Sequence, residues 1–301
     1  MTNSYAIGFD LGATNVKAVV VHPTGDMLNF DQFETGGDDG AWLGRMKDSV
    51  TAIEHLHGKA RWIGIAAPGL AARDHRSIAW MQGRLEGIQD LDWTCALGRE
   101  QVVPVLNDAH AALLGELWRG AAAGARDAVL LTLGTGVGGA IVCDGRLLRG
   151  HLGRAGHLGH LSLDPSGSRD IVNTPGSIED AIGDHTVPRR TGGRFRSTEA
   201  LVAAHRAGDK DASRTWLASV KSLAAAIASI INAVDPEVVI LGGGIARAGD
   251  ALFDPLRNYL DDFEWRPNGQ AVRVIPAALG EQAGAIGAAW HAMQFDTRET
   301  P

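Results

Sequence analysis

Two stretches of the chain repeat one pattern. Residues 9–20 (FDLGATNVKAVV) can be laid on residues 131–142 (LTLGTGVGGAIV), with Gly12 over Gly134. Each copy is an apolar run, a glycine turn too short to hold a helix, and a second apolar run. That predicts strand–turn–strand twice, each copy opening one half of a duplicated α/β chain with a cleft between the halves. No single motif constrains the fold as much.

Composition agrees with a glycine-punctuated globular fold. There are 39 glycines in 301 residues, well above the usual ~7% and without a collagen period. The formal charge is −7 with no Lys/Arg block, which argues against a nucleic-acid or membrane-surface partner. Cys95 and Cys143 cannot build a disulfide framework. The first residues lack a basic segment before an apolar one, and the apolar stretch 223–231 is far too short to span a bilayer. The expectation is a cytoplasmic protein without a membrane partner.

Strands are predicted at 5–9, 16–21, 24–34, 62–66, 102–106, 128–133, 140–143, 237–241 and 272–276. Helices are predicted at 41–57, 109–122, 214–233 and 281–295, with helical pattern from Ser197 and a stop at Pro236. Residues 146–196, rich in Gly, Arg, His and Pro, read as mostly irregular.

Gly134, Gly136 and Gly139 satisfy the dinucleotide fingerprint, but that fingerprint needs a helix to follow and here a strand follows. No Walker-type pattern is present. What remains is a phosphate cradle: glycines let backbone N–H groups approach anionic oxygens, and Thr135 adds a hydroxyl. On the first hairpin Gly12, Thr14 and Asn15 can act likewise, Lys17 adds positive charge, and Asp10 can hold Mg²⁺ through water. Asn107-Asp108 opens a helix directly after a strand. Asp108 is either an ordinary helix cap or a carboxylate that takes a hydroxyl proton during phosphoryl transfer. His151, His157 and His160 lie close together without a nearby cysteine, so ordinary loop histidines are the simpler reading over zinc ligands.

Together these segments, with Gly150–His160 and Leu241-Gly242-Gly243-Gly244, resemble the ROK family of bacterial sugar kinases and related repressors over nearly the whole chain. The resemblance implies an α/β, actin-like ATPase (ribonuclease H-like), duplicated two-domain fold with ATP and Mg²⁺ in an interdomain cleft and a hexose opposite. It implies a small domain, 1–107, joined by the C-terminal helix 283–301, and a large domain, 108–282. Asp10, Gly12, Thr14, Asn15, Lys17, Gly134, Thr135 and Gly136 would serve the phosphates and metal. Gly243 and Gly244 would lie beside the adenosine. Asn107, Gly69, His157, His160 and Glu179 would face the sugar, and Asp108 would be the catalytic base.

This chain departs from the family pattern in three places. His157 stands where the family has Glu. The family zinc-site cysteines fall on Asp170, Val172 and Ser177, so no zinc is expected. A sugar-facing segment is replaced by Arg84-Leu85-Glu86-Gly87-Ile88. The leading expectation is an ATP-dependent hexose kinase, a homodimer with glucose as default substrate. The alternative is a catalytically altered ROK-type sugar-binding or regulatory protein without a DNA-binding domain.

Overall fold

The structure is a computed structural model, and it describes residues 4–36, 41–81 and 85–298. Arg84 of the replaced segment therefore lies outside the described residues. Contacts divide the chain into two compact units, residues 1–124, 147–155 and 278–301, and residues 125–146 and 156–277.

The first unit runs β1 (Ala6–Leu11), β2 (Asn15–Val21), β3 (Met27–Glu34), α1 (Ala41–His57), β4 (Trp62–Ala67), β5 (Leu70–Ala71), β6 (Ile78–Trp80), α2 (Trp93–Ala96), β7 (Val105–Asn107) and α3 (Asp108–Arg119). Its main sheet has the order β3-β2-β1-β4-β7. β1 and β2 pair antiparallel, which sets Asp10 opposite Lys17, whereas β4 is parallel to β1 and β7 to β4. One face is covered by α1, whose Trp42, Met46, Val50 and Ile53 recur at helical spacing and pack with Ile7, Phe9 and Leu11.

The other face is covered by the C-terminal helix, Ala283–Arg298. The approach is close enough to require glycine. A Cβ at Gly8 would lie 1.9 Å from Ala285 O, and one at Gly64 would lie 2.0 Å from Ala288 O. The same helix meets α3 backbone to backbone, since a Cβ at Gly287 would lie 1.7 Å from Ala111 O. Fully buried Glu116 on α3 holds the returning chain by accepting from Ala278 N at 3.0 Å and Leu279 N at 2.8 Å. This packing keeps α3 within the first unit, twelve residues past the boundary expected at 107.

The second unit comprises β8 (Ala128–Leu133), β9 (Val137–Cys143), β10 (Arg146–Leu147, which ends one residue past the boundary), α4 (Ile178–Ile182), α5 (Val187–Arg190), α6 (Thr198–Arg206), α7 (Lys210–Val234), β11 (Val238–Gly242), α8 (Asp250–Phe263) and β12 (Arg273–Pro276). Its sheet order, β10-β9-β8-β11-β12, follows the plan of the first sheet. Here too an antiparallel hairpin is extended by two parallel strands. The duplication read from the sequence is therefore a duplication of topology. α7 is long and apolar enough by composition to cross a membrane, yet Trp216, Leu223 and Ile227 on it form the core of this unit. It ends at Val234 with Asp235 in the left-handed region at φ 46°, just ahead of Pro236.

Three expectations need correction. The strand expected from residue 24 starts at Met27, because Gly25, at φ 91°, belongs to the preceding turn. Residues 146–196, mostly irregular as expected, also hold two short helices that were not expected, α4 and α5. Those helices, of five and four residues, are too short to show a helical period. The hairpin β5–β6 and helix α2 escaped prediction for the same reason.

Candidate active site

In the first unit the carboxylates of Asp10 and Asp108 lie close enough to repel. Asp10 sits near the end of β1, and loss of hydration, with the Asp108 charge adding to it and Lys17 opposing it, pushes its pKa up to about 7. Gly284 of the C-terminal helix passes beside it: a Cβ there would lie 2.8 Å from Asp10 Oδ2. Lys17 is paired with Glu281 at 3.7 Å. The turn carrying Gly12, Thr14 and Asn15 is closed by Gly12 N donating to Asn15 O at 3.0 Å. Thr35 reinforces it, donating from Oγ1 to Gly12 O at 2.7 Å. Thr14 itself is exposed.

Asn107, not Asp108, caps α3. Its Oδ1 accepts from Ala109 N at 3.0 Å and His110 N at 3.3 Å, and its Nδ2 donates to Gly69 O at 3.1 Å. Gly69 has φ 99°, and a Cβ there would lie 2.5 Å from Trp80 O. Gly69 thus anchors Asn107 within the fold. Asp108 occupies the first helical position, where the N-terminal partial positive charge of α3 favours an anion. Its carboxylate touches solvent, yet enough protein surrounds it that loss of hydration raises its pKa, against hydrogen bonds from Ala109 N and Asn107 that lower it.

In the second unit the loop Gly134-Thr135-Gly136 joins β8 to β9. Asp184 N donates to Gly134 O at 2.9 Å, and His185 Nδ1 donates to Thr135 O at 2.7 Å. Glu179 on α4 is buried and accepts from Val137 N at 2.9 Å. Its Oε2 occupies the space a side chain at Gly136 would need, 2.3 Å from the would-be Cβ. Gly243, at φ 85°, must likewise be glycine, because a Cβ would lie 2.3 Å from Leu133 O. Gly134, Thr135 and Gly244 line a cavity of about 640 Å³ together with Thr198, Arg206 and Arg247. Thr198 Oγ1 is buried there and makes no hydrogen bond among the described residues.

The histidine cluster separates into two environments. Burial, with the nearby His160 charge adding to it, pulls His157 down to about 4, so its imidazole is neutral at pH 7. His160 Nδ1 donates to Asp170 Oδ2 at 2.8 Å. The Asp170 side chain is fully buried, and Val172 N at 3.0 Å and Thr174 N at 2.9 Å both donate to its Oδ1. Burial pushes this carboxyl up, but hydrogen bonds from His160, Thr174, Ser177 and Val172 outweigh it and hold it below the ordinary range. An ionised carboxylate only accepts, so His160 carries its proton on Nδ1 and presents Nε2 as an acceptor when neutral.

The three positions aligned with family cysteines are therefore a buried carboxylate, Val172, and Ser177, which caps α4. Asp170→Asn is expected to reverse the His160 tautomer, because an amide N–H facing Nδ1 requires an acceptor there. If His160 faces a sugar, as the family resemblance implies, the KM for sugar should rise about tenfold with the KM for ATP unchanged, and metal analysis should find well under one zinc per chain. An unchanged sugar KM, or stoichiometric zinc, would contradict this.

Sequence reasoning named the two glycine loops, Asp108, His157, His160 and Glu179. It named Asp170 only as a replaced cysteine and missed its hold on His160, and it missed Asp184 and Thr198, which act through the fold rather than through a motif. The only local trace of Thr198 was the helix start at Ser197, whose side chain accepts from Ala200 N at 3.2 Å.

Two sheets of one topology, each opening on a glycine-turn hairpin, define the actin-like ATPase class. The chain belongs to the ROK family, whose model matches residues 6–294. It is 33% identical to a glucokinase of Thermotoga maritima, over 94% of this chain and 95% of the other. It is 40% identical to the bifunctional enzyme NanE/NanK of Brucella melitensis, over 95% of this chain and 54% of the longer protein. A ROK family glucokinase from Streptomyces griseus, solved in complex with glucose and AMPPNP, superposes with a TM-score of 0.77 at 28% identity. That match covers 97% of this chain and 100% of the other.

Proposed function

We propose that the protein is an ATP-dependent sugar kinase that transfers the γ-phosphoryl group to a hexose hydroxyl, with glucose as the default acceptor. The observation that carries this is Asp108. Its neighbour Asn107 does the capping, so the carboxylate is not needed to start α3. Its raised pKa moves it toward the range of an efficient general base. Family membership and the glucokinase relatives support the same reading.

The residues fit the nucleotide and metal. The 640 Å³ cavity offers Gly134, Thr135 and Gly244 to ATP, with Gly243 and Gly244 beside the adenosine. Asp10 supplies hard oxygen donors, and a cation beside it would offset the repulsion from the Asp108 charge, so Asp10 would hold Mg²⁺ through water. Bound there, Mg²⁺ neutralises charge on the phosphoryl oxygens. Asp108 takes the proton of the attacking hydroxyl. Gly12, Thr14, Asn15 and Lys17 serve the phosphates. On the first unit Asn107, already held by Gly69, orients sugar hydroxyls, and on the second His160 and Glu179 serve the sugar. The same reading places a homodimer in the cytoplasm with no nucleic-acid or membrane partner.

His157 bears on the choice of sugar. A carboxylate at this position offers only acceptors, whereas the neutral imidazole offers one donor and one acceptor. A mismatched buried polar group costs about 1–3 kcal/mol. Phosphorylation of glucose is therefore expected to be weaker than in relatives carrying Glu, with another hexose or a modified sugar preferred. The check is His157→Glu beside wild type across a sugar panel. If kcat/KM for glucose and the ranking of the other sugars both stay the same, His157 does not set specificity.

A further inference from the structure

The second unit carries another cavity, of about 470 Å³, whose lining includes Arg189, Arg190, Arg214, Thr215, Ser219 and Ser222. Its chemistry is unlike that of a protein-binding groove. The rest of its lining is small or polar, with Asp180 the one acidic residue and no aromatic or large aliphatic side chain. Three guanidinium groups against one carboxylate leave it net positive. Thr215, Ser219 and Ser222 lie four and three residues apart on α7, so a single helical face presents all three hydroxyls.

The distinctive group is Arg190. Its Nε donates to Thr186 Oγ1 at 2.9 Å, one terminal nitrogen to Ser219 Oγ at 2.6 Å, and the other to Gly183 O at 3.1 Å. All three acceptors are neutral, and Arg190 forms no ion pair among the described residues, although the charges of Asp180 and Asp184 are felt. Burial brings its pKa down to about 10, which still leaves it charged at pH 7. A guanidinium has five N–H donors, so two remain beyond the three engaged here. A partly buried cation compensated only by dipoles is costly unless a counter-charge is supplied. The carboxylates near it are engaged elsewhere: Asp180 is paired with Arg189, Asp184 Oδ1 accepts from Thr198 N, and Asp211 is paired with Arg214 at 2.7 Å. Arg214 is exposed, so its guanidinium can leave that pair for a ligand.

We propose that this cavity is a binding site for a phosphate-bearing anion, held by the charge-assisted hydrogen bonds of Arg190 and Arg214 and by the hydroxyls of Ser222 and Thr215. None of these residues belongs to the nucleotide cavity or to the proposed catalytic set, so the site stands independently of the kinase reading. A planar guanidinium suits phosphate oxygens, and the hydroxyls of Ser222 and Thr215 complete a donor set for an oxyanion without a metal, while Ser219, which donates to Thr215 O at 3.1 Å, holds Arg190 in place.

The test uses the full chain, with AMPPNP present to block the nucleotide cavity and ionic strength held constant with sodium chloride. Inorganic phosphate and glucose 6-phosphate are titrated calorimetrically, and the thermal midpoint is followed in parallel. Saturable binding of at least one is expected, with a rise in the midpoint. Tighter binding of the ester identifies a phosphate monoester as the ligand class, and equal binding identifies the free anion. Arg214→Ala should weaken binding about tenfold. Ser222→Glu sets a carboxylate before Arg190, so it should abolish binding and raise the ligand-free midpoint while kinase activity stays unchanged. Absence of saturable binding by either probe overturns the proposal, and so does binding that survives both substitutions at wild-type strength. Both variants leave Arg190 in place, so its structural bonds do not confound the result.

Discussion

Replacing Asp108 by asparagine is expected to lower kcat by a factor of about 10² or more, with nucleotide affinity and thermal stability close to wild type. The amide has the shape of the carboxylate and keeps an oxygen to accept from Ala109 N, the 2.8 Å bond made by Asp108 Oδ1. The start of α3 does not depend on the substitution, because Asn107 supplies the cap. What is lost is the basic oxygen, since an amide accepts no proton near neutral pH. A structural role would show the opposite pattern, with stability lost and turnover retained. Turnover near wild type would mean that Asp108 only fills the first turn of α3.

The second large effect concerns folding. Gly8→Val and Gly287→Val are each expected to destabilise the first unit by about 3 kcal/mol or more, read as a lower denaturation midpoint. The atoms a Cβ would strike are backbone oxygens, Ala285 O and Ala111 O, which cannot move aside as a flexible side chain can. Gly44 is the contrast within the same unit. It lies on α1 with nothing within 4 Å of its would-be Cβ, so Gly44→Ala should stabilise by about 0.5–1 kcal/mol. Equal effects at all three positions would mean that the C-terminal helix does not lie on β1 and α3 as described.

Much of this organisation was legible because it is written locally. The paired hairpins announced themselves through alternating apolar runs about a glycine turn, and the two sheets repeat one topology. α1 and α7 are long enough for their buried residues to show a helical period. The hairpin β5–β6, α4 and α5 were not legible, because elements of two to five residues take their shape from what they pack against. The placement of α3 beside the C-terminal helix was hidden for another reason. It depends on Gly115 meeting Ala283 and Gly287 meeting Ala111, contacts between residues far apart in the chain.

The site divides along the same line. Asp10, Asp108 and the Gly134–Gly136 loop belong to recognisable strings of residues. Asp170 does not: its hold on His160 arises from a turn in which Asp170 N donates to Thr174 O at 3.0 Å and Asn173 stands at φ 67°. Thr198, in the wall of the larger cavity, is held by its backbone N–H, which donates at 2.5 Å to Oδ1 of Asp184, a residue fourteen positions away.

The most direct measurement of the central claim is ADP release by the purified protein with ATP and Mg²⁺ across a panel of glucose, mannose, other hexoses and N-acetylated hexosamines. The kinase reading predicts ADP release that requires both ATP and one or a few of these sugars, matched mole for mole by phosphorylated sugar, and reduced at least a hundredfold in Asp108→Asn. Binding of a sugar with no ADP release from any member of the panel would contradict it, and would leave a sugar-binding or regulatory protein built on a kinase fold.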